Sequence, residues 1–181
     1  MPAYLLIVAA VLSRLIPHSD WFGFTAVGGS LLYFGARRPW QELLAPVAAL
    51  ALVDYYLTTH VYAYPFQAQS YLITWAWYAA AIILGRILLA REATLLRGAA
   101  ASLLGPTSFF LASNFAVWAA SSNFAHSLYT PDLKGLVTCY VAGIPFYTRD
   151  LISTGLVVTV AFGAPILLRR YLTNPATPEN I

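Results

Sequence analysis

An all-α integral membrane protein, a bundle of six transmembrane helices, is the fold class this sequence predicts. Three observations predict it. The 181 residues are 60% hydrophobic and only 9% charged, against about 25% charged in a soluble domain. The mean hydropathy is +0.68. The charges collect between or at the ends of apolar blocks: Arg37, Arg38, Arg91, Arg97, Arg169 and Arg170 all flank such blocks, as topology signals do. A helix needs about 20 residues to cross about 30 Å of hydrocarbon, so the length admits five to seven spans in one domain. That domain covers residues 1–172, with a polar tail at 173–181 that carries two prolines and reads as a frayed end.

The elements follow from apolar runs and their breakers. Helix 1 covers about Ala3 to Ile16 and ends at Pro17-His18-Ser19-Asp20. It lacks a basic leading segment and reads as a retained helix, not a signal peptide. Helix 2 covers about Phe22 to Ala36, closed by Arg37-Arg38-Pro39, and helix 3 about Gln41 to Thr58. A polar, aromatic loop runs from His60 to Gln69. Helix 4 covers about Ser70 to Ala90, and a charged turn, Arg91 to Arg97, leads into helix 5, about Gly98 to Ala120. After a loop with Ser121, His126 and Pro131, the last region, Asp132 to Tyr171, is twice the length of a span and contains Pro145 and the pair Arg149-Asp150. Placing the Arg37-Arg38 loop, the Arg91–Arg97 turn and Arg169-Arg170 on the cytoplasmic side requires an odd number of crossings after Asp132. Six spans with both termini cytoplasmic result. Asp132 to about Phe146 then forms a re-entrant or interfacial segment before the last helix. Arg14 and Lys134 fall on the wrong side of this scheme.

Composition excludes several functions. The net charge of +3 sits in the flanks, so it points to the lipid bilayer and not to nucleic acid. The single Cys139 rules out an internal disulfide and any multi-cysteine zinc or iron–sulfur site. There is no P-loop, Rossmann fingerprint, nucleophile elbow or HExxH. The chain reads as a non-enzyme without a cofactor, and uphill transport would need an energising partner.

Candidate site residues are the polar groups at membrane depth, where they are expensive unless paired or wet. Asp54 either faces a cavity and meets a ligand or cation, or anchors the outer end of helix 3. Thr107, Asn114 and Trp118 share one face of helix 5; they either line a pocket or serve helix packing and the interfacial belt. Tyr140 and Arg149 complete the ligand-binding set. His18, His60 and His126 each lie in a different outer loop. They are the weak candidates for a transition metal, and none shows ligand spacing.

Three stretches carry a resemblance: Arg14-Leu15-Ile16-Pro17-His18 with Phe24-Thr25-Ala26-Val27-Gly28; Ser108-Phe109-Phe110 with Ser113-Asn114-Phe115-Ala116-Val117-Trp118; and Gly135-Leu136 with Cys139-Tyr140-Val141-Ala142-Gly143-Ile144-Pro145-Phe146. The chain resembles an uncharacterised family of small bacterial membrane proteins (domain-of-unknown-function family 6580) described as transport proteins. Where that pattern tends to read N-F-T-P-V, this chain has Gly23-Phe24-Thr25-Ala26-Val27. More distantly, it is similar to the S-components of energy-coupling-factor transporters. That resemblance implies a bacterial inner-membrane location, a pocket in the outer half, a vitamin-like small-molecule ligand and a separate ATPase partner. The alternatives are a non-catalytic membrane subunit or assembly factor and, less favoured, a transition-metal uptake component.

Overall fold

In the computed structural model the described residues are 1–16, 24–121 and 128–173, with side chains described as far as residue 165. They form six α-helices: α1 (Pro2–Leu15), α2 (Val27–Arg37), α3 (Leu44–Tyr56), α4 (Leu72–Leu89), α5 (Leu95–Ser121) and α6 (Leu133–Thr173). Short 3₁₀ turns precede α3 (Trp40–Glu42) and α4 (Ala68–Tyr71), and a π-helical turn (Leu57–Val61) extends α3. No strand occurs among the described residues. Three helical stretches are long and apolar enough to cross a membrane: Trp40–Val61, Ala68–Leu89 and Leu95–Ser121. The chain is thus a helical membrane protein. Its many exposed leucines, valines and isoleucines, such as Leu52, Leu103, Leu111 and Val160, suit a surface turned towards lipid.

The middle of the bundle is α2. Every residue from Val27 to Ala36 is buried, because α1, α4, α5 and α6 all pack against it. At 11 residues it is about 16 Å long, half the thickness of the hydrocarbon. Glycines let its neighbours close in. A methyl on Gly35 would strike the Ile82 carbonyl oxygen of α4, and one on Gly85 would strike the Leu32 carbonyl oxygen of α2. The two backbones therefore touch, as small residues allow in lipid. Gly28 and Gly29 do the same for α6, against Thr154 and Val157. Leu31, Leu32, Phe34, Leu50 and Leu89 fill the spaces between. Helix 2 was expected from Phe22; the structure starts it at Val27, since residues 24–26 are not helical.

The other difference concerns the last region. No re-entrant or interfacial segment separates from the final helix: residues 133–173 form one helix with Pro145 and Pro165 inside it. Its first half runs antiparallel to α5. Tyr140 Oη donates to the Leu111 carbonyl at 2.8 Å, Thr107 and Tyr147 share a hydroxyl contact at 2.9 Å, and Gly98 faces Val158. In that register Leu133 to Phe146 accompanies the second half of α5 as an ordinary helix. A proline within a helix frees one carbonyl, a cost that membrane helices absorb through their neighbours. The start of α6 is fixed by Asp132, whose carboxylate accepts from the Thr130 hydroxyl and the Gly135 N–H, both at 2.7 Å. These bonds hold the Asp132 carboxyl below its usual range. The expected tail at 173–181 falls, from residue 174 on, outside the described residues.

Candidate functional site

Beyond the start of α2, where Thr25 and Val27 form one wall, α1, α3, α4, α5 and α6 line a half-open cavity of about 450 Å³. This is within the range of about 300–1,000 Å³ usual for small-molecule sites. The walls are mainly aromatic: Trp77 and Tyr78 from α4, Phe109 and Phe110 from α5, Phe146 and Tyr147 from α6. The rings brace each other, with Trp77 on Phe109 at 4.6 Å and Phe110 on Tyr147 at 4.8 Å between centroids. Trp77 spends its indole N–H on the Gly105 carbonyl at 3.1 Å, which fixes the ring. Pro106 follows that residue and lines the cavity too.

One end of the cavity is polar. Asp54 is 1% exposed, and its Oδ1 lies 2.6 Å from Nη1 of Arg14. Its Oδ2 accepts from Trp75 Nε1 at 3.0 Å and from Tyr78 Oη at 3.3 Å. Arg14 also donates to Tyr78 Oη at 2.7 Å. The Arg14–Oδ1 approach is an ion pair without hydrogen-bond alignment, since Oδ1 has no hydrogen-bond partner among the described residues. An ionised pair at this depth is tolerated because its lone pairs and protons are largely satisfied. The π-helical turn directly follows. The Thr58 hydroxyl donates to the Asp54 carbonyl at 2.7 Å and meets Tyr71 Oη. Such turns are often found at functional sites. Asn114 and Asp150 also line the cavity. Asn114 Nδ2 donates to the Phe110 carbonyl at 2.8 Å. Gly143 of α6 leaves it the room, since a methyl there would press on its amide.

Of the residues the sequence singled out, Asp54 and Asn114 line this cavity. Thr107 stands one step behind the wall, bonded to Tyr147. Trp118 donates its indole N–H to the Thr130 carbonyl at 3.1 Å near the end of α5, and Tyr140 packs on Phe110 at 5.4 Å; neither borders the cavity. Within the pair Arg149-Asp150, it is Asp150 that lines it. His60 is exposed and stacks on Tyr56 at 5.2 Å. His18 and His126 lie outside the described residues. Among the described residues no three His, Cys, Asp or Glu side chains converge as a metal site would require. Sequence reasoning missed Arg14, which read as a misplaced topology charge, and also Trp77 and Tyr78, hidden among interfacial aromatics. The available signal was a lone arginine at the end of an apolar helix in a chain that also buries a lone aspartate.

Fold and cavity together define a helical membrane protein with an internal, mostly apolar site. The chain belongs to the Family of unknown function (DUF6580), whose model matches residues 1–177. No curated protein and no solved structure matches it.

Proposed function

We propose that this protein binds a small molecule within the membrane and serves as the binding or uptake component of a transport system energised by a separate partner. The observation that carries this reading is the cavity itself. Residues of all six helices converge on about 450 Å³ of space lined largely by aromatic rings, with the Arg14–Asp54 pair, Asn114 and Asp150 among its polar groups. The resemblance to S-components of energy-coupling-factor transporters agrees in size, helix count and the presence of a pocket. It carries with it the bacterial inner membrane, six spans with cytoplasmic termini, and a vitamin-like ligand. The bound molecule lies against Asn114 and the Trp77 and Phe109 rings, beside the Arg14–Asp54 pair.

Native mass spectrometry of the protein, extracted gently from its own membrane, tests this. The expected result is a bound small molecule of defined mass that is lost from Asn114→Ala while the protein still inserts. Bare protein, or protein carrying another polypeptide and no small molecule, overturns the reading in favour of a non-catalytic membrane subunit.

A further inference from the structure

This inference rests on the cavity reading above and narrows the ligand to a chemical class. Among the described residues, the charged groups on the cavity wall are Arg14, Asp54 and Asp150. Arg14 and Asp54 neutralise each other. Asp150 has no cationic partner among the described residues, where its side chain meets only the Thr154 hydroxyl, at 3.4 Å. It sits deep in the bundle. Tyr147, three residues earlier, is level with Thr107 in the middle of α5. A carboxylate at this depth is costly and often marks a functional group; the neighbouring Arg149 is not among the residues that line the cavity.

The start of α2 relieves part of that cost. The place where a Gly28 side chain would begin is 3.5 Å from Asp150 Oδ1, so the carboxylate faces the first turn of α2 and its partial positive charge of about half an elementary charge. The cavity still keeps an excess of negative charge. Around it are aromatic faces, whose quadrupoles attract cations. Phe146 and Tyr147 stand on the same helix as Asp150, and Trp77, Phe109 and Phe110 stand across from it. An anionic ligand would meet the unbalanced carboxylate; a neutral one would leave it without a counter-charge.

We propose that the cavity takes a small organic cation, a ring-bearing amine or quaternary ammonium of single positive charge, with Asp150 as its counter-ion. The Arg14–Asp54 pair then closes the far end of the site and supplies polar contacts to the uncharged part of the ligand.

The test uses the full-length protein in nanodiscs of phosphatidylcholine and three probes of similar size: benzyltrimethylammonium, benzyl alcohol and phenylacetate. Binding is read by tryptophan fluorescence and by calorimetry. The expected order is the cation at least tenfold tighter than the alcohol, with phenylacetate weakest. Asp150→Asn is expected to weaken the cation at least tenfold and leave the alcohol unchanged, while Asp150→Glu retains the preference. Equal affinity for all three probes, or unaltered cation binding in Asp150→Asn, overturns the assignment while leaving the cavity as a binding site. If none of the probes binds, the cavity reading falls and this one with it. Should Asp150→Asn fail to fold, the three-probe comparison on the unaltered protein decides alone.

Discussion

Asp54 and Arg14 share one ion pair but not one environment. The carboxylate is 1% exposed and the guanidinium 21%. Losing the cation strands a charge with no access to solvent, whereas losing the carboxylate leaves a cation with some access and a hydrogen bond to Tyr78. Removing one partner of a buried pair costs about 3–5 kcal/mol. Arg14→Met is expected near the top of that range and Asp54→Asn below it. The double variant should recover much of the loss, since neither charge is then stranded. Thermal unfolding in detergent measures all three, and strictly additive losses would refute the coupling. Asp54 and Asn114 were legible in the sequence because a polar residue inside an apolar run stands out. Arg14 was not, because its partner is 40 positions away in the chain and an arginine at a helix end ordinarily signals topology. The pair Arg149-Asp150 was legible, but not which of the two meets the cavity: adjacent residues on a helix point about 100° apart, and the choice depends on how the helix is rotated in the bundle.

At the scale of elements, the crossing of α2 and α4 depends on two hydrogen atoms. Gly35 and Gly85 each face the carbonyl oxygen of a residue on the other helix, so a Cβ at either position forces the backbones apart. Gly155, in α6, has nothing within 4 Å of where a Cβ would stand. Gly35→Ala and Gly85→Ala are therefore expected to lower folded yield and melting temperature, a cost of about 1–3 kcal/mol for overpacking. Gly155→Ala should instead gain up to about 1 kcal/mol from helix propensity. Equal behaviour of the three in a detergent melt would contradict the crossing. The helices themselves were largely legible, since apolar runs bounded by Arg, Pro and Gly mark them well. The continuity of α6 through Pro145 was not. A proline reads as a breaker in water, where the displaced chain is readily solvated. Here the helix on both sides of Pro145 packs along α5, and breaking it would expose backbone groups to lipid.

For the whole molecule, the six helices differ widely in length. Three stretches suffice by length and composition to cross a bilayer. The helices α1 and α2, at 14 and 11 residues, suit a locally thinned or shared crossing. The first half of α6 runs antiparallel along α5, as the proposed six-span scheme requires. Reporter fusions at either end of the chain should both give cytoplasmic signals, and a periplasmic signal at the C-terminus alone would break the six-span scheme. No amphipathic stripe announced which helix would be central. In lipid the outside of a bundle is as apolar as its inside, so hydropathy does not sort buried from exposed faces. The glycines of α2 were the better guide to its central place.

The length of α6 has a mechanical consequence. One unbroken helix holds Asp150 at the cavity and continues to Thr173. Those last 23 or so residues form an arm of about 34 Å. The α5 helix opposite begins at Leu95, level with the region just past Val158, so the far part of the arm outreaches its antiparallel neighbour. A tilt of about 5° pivoting at the cavity would move the tip by about 3 Å, from the rise per residue. The long arm thus turns a small rearrangement at one end of the molecule into a larger one at the other.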